Sequence, residues 1–449
     1  MKIKEFLDNV CEQIKYKPIR NEICEELKNH IEEQKENYIE EGFKEELAEE
    51  KAIEQMGNAE IIGKKLNRIH RPKIDWKLLL IILIMLSFGF IIAFTRANNY
   101  DMLENELYSN IIFKYISFII LGLVFSFIIY FIDYKKVCKY SFVIYVIASI
   151  INMIAMFTWK NGNGISYFRI RTIIFSPAVI TVPLYMIAFV GFLQNNDWLT
   201  KIKIFKKKKT YVGGLIILSI VSIGLINCVS TIASSIILGA TYLIITTVKL
   251  SLLNKKKEIA ILWGLTIFST IIVFILMGGM SRIHRLADSL QPQNDPYGSG
   301  WIGMNQKMVI SSAKLFGEMD YDSKALNIFD EGTNYAFISI LAHYGWIIGI
   351  TMITAIILLN IKLVIDAIKI KDLYGKLLIV GISSLFLLQS LFNLLMNFNF
   401  GMQADFNIPL ISYGGVNLLT NILCLALVLS IYRRKDINLS EVENLKINE

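Results

Sequence analysis

The pattern of polar and apolar positions divides the chain into a short charged segment and a long apolar remainder. Within the first seventy residues, Ile23, Leu27 and Ile31 recur at spacings of four, which predicts an amphipathic helix. A second apolar pattern follows, and Gly57-Asn58 is typical of a helix stop and the N-cap of a last helix. Because such helices bury their narrow apolar faces against one another, residues 1–70 are predicted to form a small helical domain.

Apolar runs of about 20 residues recur after this domain, each long enough to cross a hydrocarbon core of ~30 Å. The ten segments are 76–94, 111–131, 140–157, 173–193, 212–229, 231–248, 259–277, 335–359, 377–396 and 409–431. We therefore expect an all-α fold: a polytopic membrane protein with ten transmembrane helices over residues 71–435, with a tail at 436–449.

Composition supports a membrane protein. Hydrophobic residues make up 54% of the 449 residues and charged residues 19%, with a mean hydropathy of +0.50. A soluble domain holds about 25% charged residues, so the composition excludes a soluble enzyme. The net charge of +8 would suit a nucleic acid, but the lysines concentrate in short loops between apolar segments. We therefore expect membrane lipids as partners and no nucleic acid.

The basic clusters also predict an orientation. They follow every second apolar segment, at 135–139, 201–209, 255–257, 362–376 and 433–435. All of them fall on one side of the membrane, which the positive-inside rule assigns to the cytoplasm. The helical domain and the tail are therefore predicted to be cytoplasmic.

The five cysteines lie far apart in the sequence and form no CxxC pair. None has metal-ligand spacing to the four histidines, so we expect no metal site. Buried or cytosolic free thiols are the expected state of all five.

One predicted outer loop is long, over residues 281–334. It carries Arg282 and Arg285, then Trp301 and an amphipathic stretch over residues 304–316. Loops of this length are either functional or disordered. A tryptophan and an amphipathic stretch favour a lid or half-buried helix at the outer leaflet over a plain linker.

Two further outer segments carry candidate chemistry. Arg169 and Arg171 place positive charge outside, where they would either bind a lipid diphosphate bidentately or anchor the chain at the headgroups. In the last predicted span, adjacent glycines at Gly414 and Gly415 permit close approach of a helix or ligand.

Two resemblances follow from the motifs. The first segment resembles the permease prefix (HAAS) domain through Glu25-Glu26-Leu27, His30-Ile31, Gly42, Ala48, Ala52 and Met56-Gly57-Asn58. Residues 76–435 resemble the SEDS family of shape, elongation, division and sporulation proteins, which includes the RodA, FtsW and SpoVE groups. The matching motifs are Ile411-Ser412-Tyr413-Gly414-Gly415, Gln389 with Asn393, Asn163-Gly164 with Phe168, Pro177, and Arg285, Pro292, Asp295, Gly298 and Gly300.

The SEDS resemblance implies a location and a reaction. Such proteins lie in the bacterial cytoplasmic membrane and polymerise lipid II at the outer face, usually with a class B penicillin-binding protein. An earlier proposal for the family was lipid II flipping. A sugar hydroxyl attacks the anomeric carbon while undecaprenyl diphosphate leaves. This reaction needs a carboxylate general base, and cations for the diphosphate. No cofactor is implied beyond a divalent cation supplied with the lipid diphosphate.

The chain departs from the family at charged positions. The essential Asp of the family aligns with Asn334, whose amide is no base at neutral pH. A Glu and a Lys of the family fall on Val179 and Val182. Two nearby acids, Asp330 and Glu331, would either supply the missing base or end a solvated loop, and Asp405 has the same two interpretations.

These residues predict a membrane protein of peptidoglycan synthesis, acting in cell division, cell shape or sporulation, that handles lipid II at the outer face. If it is active, it is a glycosyltransferase with a rearranged carboxylate. The alternative is a non-catalytic binder, scaffold or translocator of the lipid-linked precursor. The candidate catalytic residues are Asn334, Glu331 and Asp330. The candidate substrate-binding residues are Arg169, Arg171, Arg282, Arg285, Gln389, Asn393, Ser412, Tyr413, Gly414 and Gly415.

Overall fold

The computed structural model divides by its internal contacts into two units, residues 1–75 with 431–449, and residues 76–430. The described residues are 2–69, 71–99, 111–160, 165–171, 173–194, 208–252, 263–264, 291–298, 300–320, 333–400, 407–412 and 414–435.

The first unit contains four helices, three of which the apolar pattern predicts. They are α1 (Ile3–Glu12), α2 (Lys17–Glu40), α3 (Glu45–Met56) and α4 (Ala59–Ile69). The predicted N-cap is confirmed, because Asn58 Oδ1 accepts hydrogen bonds from the main-chain N–H groups of Glu60 (2.9 Å) and Ile61 (3.2 Å).

The buried core of this unit joins all four helices. Phe6 and Val10 of α1 pack with the stripe that the sequence predicts on α2, and with residues of the two later helices. The buried members are Phe6, Val10, Ile14, Ile23, Leu27, Ile31, Ala52, Ile53 and Leu66. A single apolar core therefore holds the four short helices together.

The prediction that all five cysteines are free thiols is wrong for two of them. Cys11 and Cys24 form a disulfide, with a Cα–Cα distance of 6.1 Å. Packing of α1 against α2 brings the two residues together, and the sequence pattern did not predict α1. Cys138, Cys228 and Cys424 take part in no disulfide among the described residues.

The second unit consists mainly of apolar helices, and most predicted spans are confirmed as helices. The helices that begin in the second unit are α5 (Trp76–Asn99), α6 (Ile111–Phe131), α7 (Tyr134–Lys139), α8 (Ser141–Ala155), α9 (Ala178–Gln194), α10 (Lys208–Val229), α11 (Ile232–Leu252), α12 (Trp301–Ser312), α13 (Ala336–Tyr344), α14 (Trp346–Lys369), α15 (Leu373–Asn397) and α16 (Gly415–Arg433). Of these, α7 and α12 lie outside the predicted spans. Six of the described helices are long and apolar enough to span a membrane. The predicted span at 259–277 lies outside the described residues, apart from 263–264.

The predicted start of the fourth span at residue 173 is wrong. Residues 173–175 form strand β2 (Ile173–Phe175), which pairs antiparallel with β1 (Phe168–Ile170). Apolar β-branched residues suit a strand as well as a helix, and the helix begins only after Pro177.

The eighth and tenth predicted spans also need correction. The segment 335–359 is interrupted at Gly345, so α13 is separate from α14. Gly345 has φ 83° and ψ −177°, a conformation that only glycine adopts without strain. The tenth helix begins at Gly415 rather than at 409, because Leu410 turns the chain with a positive φ of 64°.

The lipid-facing surface is formed by exposed apolar side chains on the outer helices. On α6, Phe113 is 72% exposed and Phe127 is 69% exposed. The exposed faces of α8 and α14 are similarly apolar, with Ile150 and Ile350 as examples. Large apolar faces of this kind are stable in contact with hydrocarbon, as expected of a membrane-spanning bundle.

The break at Gly345 yields a stability prediction. A Cβ on residue 345 would lie 2.7 Å from the main-chain oxygen of Lys314. We expect Gly345→Ala to destabilise the protein by about 1–3 kcal/mol through backbone strain, and to lower the melting temperature of the purified protein in detergent. The control is Gly224→Ala within α10, where nothing lies within 4 Å of the added methyl group. Equal melting temperatures for the two variants would contradict the assigned conformation.

Candidate functional site

The site is centred on Asn334, in a one-turn 3-10 helix (Thr333–Tyr335) that leads into α13. Its main-chain oxygen accepts two side-chain hydrogen bonds, from Asn393 Nδ2 at 3.1 Å and from Asn397 Nδ2 at 3.0 Å. Both donors lie in the last turns of α15. The backbone at residue 334 is therefore attached directly to the end of that helix.

Asn397 makes further bonds within the same cluster. Its Nδ2 also donates to Asn393 O at 2.8 Å and to Asn393 Oδ1 at 2.9 Å. Its Oδ1 accepts a bond from the main-chain N–H of Ile338 at 3.3 Å. We name Asn334, Asn393 and Asn397 the asparagine clamp. The sequence interpretation named Asn393 and missed Asn397, although a second polar residue one helical turn later in an apolar span was a signal.

The clamp fixes the backbone at residue 334, while the side chain of Asn334 is only half-buried. An amide offers hydrogen-bond donors and an acceptor but does not take up a proton at neutral pH. The asparagine can therefore orient a polar ligand, and it is unsuited to deprotonate a hydroxyl.

Two more polar residues of α15 lie deeper along the helix. Gln389 and Ser390 are 2% and 3% exposed. Neither Gln389 Oε1 nor Ser390 Oγ has a hydrogen-bond partner among the described residues. Buried oxygens of this kind are available to a further hydrogen-bond donor, because burial without a partner is unfavourable.

The segment before α16 lies deep in the bundle. Residues 407–412 are all buried, and Ser412 Oγ has no partner in the described parts of the chain. A Cβ on Gly89 would lie 2.7 Å from the main-chain oxygen of Ile411. Gly89 is near the middle of the 24-residue α5, about 20 Å from its first residue. Non-helical backbone is tolerated at such depth only where protein covers it or water reaches it.

Packing explains one of the two adjacent glycines that are predicted to permit close approach. A Cβ on Gly415 would lie 2.1 Å from Cε2 of Phe118 on α6. Gly415 therefore allows α16 to approach α6. Tyr413, between the buried segment and these glycines, lies outside the described residues.

Two further buried asparagines lie on α16. Asn421 Nδ2 donates to Asn417 Oδ1 at 3.3 Å, and Asn417 Nδ2 has no partner among the described residues. Both side chains are buried, at 2% and 6% exposure. The sequence interpretation missed them, although polar residues four apart in an apolar helix were the available signal.

Most of the amphipathic stretch predicted at 304–316 lies in α12, which begins earlier at Trp301, ends at Ser312 and lies beside the end of α15. Gln306 Nε2 donates to the main-chain oxygen of Met396 at 3.1 Å. Gly303 lies so close to Asn399 that a Cβ would be 2.6 Å from its Oδ1. Gln306 is 2% exposed while Trp301 is 39% exposed, so the predicted half-buried helix is confirmed.

The remaining candidates are not brought to the clamp by the described structure. Arg169 and Arg171 are exposed on the β-hairpin, and no hydrogen bond or ion pair between described residues joins them to the clamp. Arg171 has φ 53°, and its main-chain oxygen accepts a bond from Arg169 Nε at 3.4 Å. Outside the described residues lie Arg282, Arg285, Asp330, Glu331 and Asp405.

The positions where the family carries a Glu and a Lys are buried and apolar. Val179 and Val182 are 6% and 0% exposed on α9. Beside them, Thr181 Oγ1 donates to Asn152 Oδ1 at 3.2 Å, and Asn152 Nδ2 donates to Tyr185 Oη at 3.3 Å. This part of the bundle is therefore held by neutral hydrogen bonds.

No group of three or more His, Cys, Asp or Glu side chains that could hold a metal is found within the described ranges. The polar residues of the site are amides and hydroxyls, which are weak ligands without a carboxylate. The described part of the site therefore offers mainly hydrogen-bonding groups.

The clamp predicts a large effect of substitution at residue 397. Asn397→Leu removes both donors and the acceptor, so we expect a loss of at least about 1–3 kcal/mol in stability for the buried groups left unpaired. Hydrogen exchange at residues 333–338 should become faster. Asn305→Leu is the matched control, because among the described residues Asn305 bonds to Trp301 O of its own helix and to none of the clamp residues. Unchanged exchange in Asn397→Leu would contradict the clamp.

The contact between Gly415 and Phe118 predicts energetic coupling. Gly415→Ala should destabilise the protein by about 1–3 kcal/mol through overpacking. In a Phe118→Ala background the same substitution should cost less, because the ring that it meets is gone. Melting temperatures of the two single variants and the double variant measure this coupling. Additive effects would show that the two residues are not in contact.

Comparison with known proteins identifies the family. Residues 76–437 match the profile of the FtsW, RodA and SpoVE group, described as cell cycle protein. The chain is 27% identical over 158 residues to the peptidoglycan glycosyltransferase RodA of Treponema pallidum, covering 34% of this chain and 36% of that protein. It is 25% identical over 164 residues to the stage V sporulation protein E of Bacillus subtilis, covering 36% and 44%.

A further relative is the probable peptidoglycan glycosyltransferase FtsW of Trichlorobacter lovleyi, 23% identical over 162 residues and covering 36% of this chain. The match spans 42% of that relative, so these alignments extend over less than half of each protein named.

Solved structures show the same fold. A chain of a peptidoglycan synthase complex, from work on the coordination of polymerization and crosslinking, matches with a TM-score of 0.62 at 16% identity, over 81% of this chain and 98% of that one. The rod shape determining protein RodA of Thermus thermophilus matches with a TM-score of 0.54 at 16% identity, over 81% and 97%. With its apolar helices and the profile match over most of its length, this chain is a multi-pass membrane protein that belongs to the FtsW/RodA/SpoVE family of cell cycle proteins.

Proposed function

We propose that this chain binds an undecaprenyl-diphosphate-linked precursor such as lipid II at the outer face of the membrane, and that it lacks polymerase activity of its own. Its relatives include proteins named as peptidoglycan glycosyltransferases. The observation that most directly supports this proposal is the asparagine clamp. It holds an amide at the position where the family resemblance implies a catalytic carboxylate.

The polar residues around the clamp support binding. Gln389, Ser390 and Ser412 each have a buried oxygen without a partner among the described residues. Hydroxyl and amide groups of a sugar are suitable partners for such oxygens. The exposed Arg169 and Arg171 supply positive charge for a diphosphate, as do Arg282 and Arg285 in the long loop.

The lysine clusters support the orientation. They lie in loops on one side of the membrane, which we assign to the cytoplasm, so the ends of the spans at Asn397 and Trp346 face outward. Under this assignment the clamp is within reach of precursors already on the outer leaflet.

A class B penicillin-binding protein is the proposed protein partner. One solved structure that shares this fold belongs to a complex in which polymerization and crosslinking are coordinated. A chain that binds the precursor without polymerising it would present the precursor to such a partner or hold the partner in place.

A second candidate function is polymerisation with Glu331 or Asp330 as general base. The observation in its favour is that the two acids precede Asn334 by only a few residues. A carboxylate so close in sequence would take the role of the missing Asp if it reached the attacking hydroxyl.

A polymerisation assay separates the two functions. Labelled lipid II would be supplied to the purified protein with a divalent cation and a candidate class B penicillin-binding protein. We expect lipid II binding but no glycan ladder from the unmodified chain. Asn334→Asp should produce ladders, because it restores a carboxylate to the clamped turn. The matched control is Asn305→Asp, which makes the same chemical change on α12 and should give none.

Two results would contradict the proposal. Ladders from the unmodified protein would show an active polymerase, and their loss in Glu331→Gln or Asp330→Asn would identify the substitute base. Absence of lipid II binding in a protein with a normal melting temperature would exclude the binding function.

A further inference from the structure

The four-helix unit contains a pair of cysteines that the proposed function does not use. Cys11 near the end of α1 and Cys24 in α2 are separated by 13 positions and form a disulfide. Cys11 is 6% exposed, whereas Cys24 is partly exposed. Cys24 is therefore the more exposed residue of the pair.

The disulfide joins two helix pairs. In the first pair, α1 packs on α4, where Gly63 lies against Gln13, and Lys15 N donates to Asn67 Oδ1 at 3.1 Å. In the second pair, α2 packs on α3, with Tyr38 Oη donating to Gln55 Oε1 at 3.0 Å. The covalent link crosses from the first pair to the second.

Non-covalent contacts cross the same boundary. Phe6 and Val10 of α1 pack with Ile23 and Leu27 of α2 in the buried core. The main-chain N–H of Ile3 donates to Glu49 Oε1 of α3 at 3.0 Å. Because this core is apolar and continuous, the unit can keep its fold when the disulfide is reduced.

Basic residues at the end of this unit indicate on which side of the membrane it lies. Five basic residues at 64–73 directly precede the first span, which places the unit in the cytoplasm under the orientation proposed above. Cytosolic thiols are kept reduced, and cytosolic disulfides are generally transient or redox-sensing. A permanent structural cross-link is therefore not expected there.

We propose that Cys11 and Cys24 form a reversible dithiol–disulfide couple that connects the two helix pairs when it is oxidised. In reduction, the thiolate of a low-molecular-weight thiol attacks Sγ of Cys24. The bond to Sγ of Cys11 breaks, and Cys11 leaves as a thiolate that takes up a proton. A second thiol then attacks the mixed disulfide and releases Cys24, so two thiols are converted to one disulfide of the reductant. Oxidation by a small disulfide follows the reverse sequence.

The oxidised state restricts movement of α1 relative to α2. In the reduced state only the apolar core and a few hydrogen bonds oppose their separation. Hydrogen exchange in residues 3–12 should therefore be slower in the oxidised protein than in the reduced protein.

The test uses the full-length chain with Cys138, Cys228 and Cys424 replaced by Ser, so that only the proposed pair can react. Cells are treated with the thiol oxidant diamide, lysed in an alkylating reagent, and the purified protein is weighed by mass spectrometry. We expect a doubly alkylated dithiol before treatment and an unalkylated disulfide after it, with recovery once the oxidant is removed. Cys11→Ser in the same background should remain alkylated at Cys24 throughout.

Accessibility is tested on the reduced, folded protein. Cys24 should react with a bulky maleimide several-fold faster than Cys11, because Cys11 is buried. Equal rates, or faster labelling of Cys11, would overturn the assigned point of attack. A disulfide already complete in untreated cells would overturn reversibility, and a dithiol that diamide never oxidises would overturn the pairing itself.

Discussion

The architecture of the site depends on the hydrogen bonds donated to one main-chain oxygen. Asn334 O is held by side chains of Asn393 and Asn397, and the latter also accepts a bond from the start of α13. In a low-dielectric interior such bonds are strong and an unpaired buried group is costly, so the turn, α13 and the end of α15 are held in one arrangement. The half-buried position of the Asn334 side chain is set by this backbone clamp.

Neutral groups occupy the positions where the motif resemblance leads us to expect charge. Val179 and Val182 are buried without polar atoms, and the clamp itself is made of amides. Burying an ion pair in a membrane bundle requires desolvation that only good partners offset. The described residues avoid this cost, because the side chains at these positions are neutral. The amides of the clamp offer hydrogen-bond donors and acceptors.

The sequence predicted helices best where an apolar run ended in polar residues, and α6 has the bounds expected of it. Period and hydropathy do not reveal a break inside an apolar run, so the separation of α13 from α14 at Gly345 was missed. Gln389, Asn393 and Ser412 were recognised through motifs. Asn397 was not, because its role depends on a turn that lies 63 residues away in sequence.

The sequence pattern does not reveal the pairing of Cys11 with Cys24, for a similar reason. Their separation in sequence is compatible with many distances, and only the packing of α1 on α2 sets the Cα–Cα distance at 6.1 Å. Long-range contacts of this kind depend on tertiary structure, which local patterns do not specify.

The buried segment before α16 also has a consequence for biogenesis. Residues 407–412 pack beside Gly89 of α5, and Gly415 packs on Phe118 of α6. A segment made after α5 and α6 therefore fills a space beside these two helices. Before this segment is in place, lipid or water occupies that space. The segment itself has a non-helical backbone, which is stable at this depth only when protein covers it or water reaches it. Packing around α5 and α6 is thus complete only after this later segment is in place.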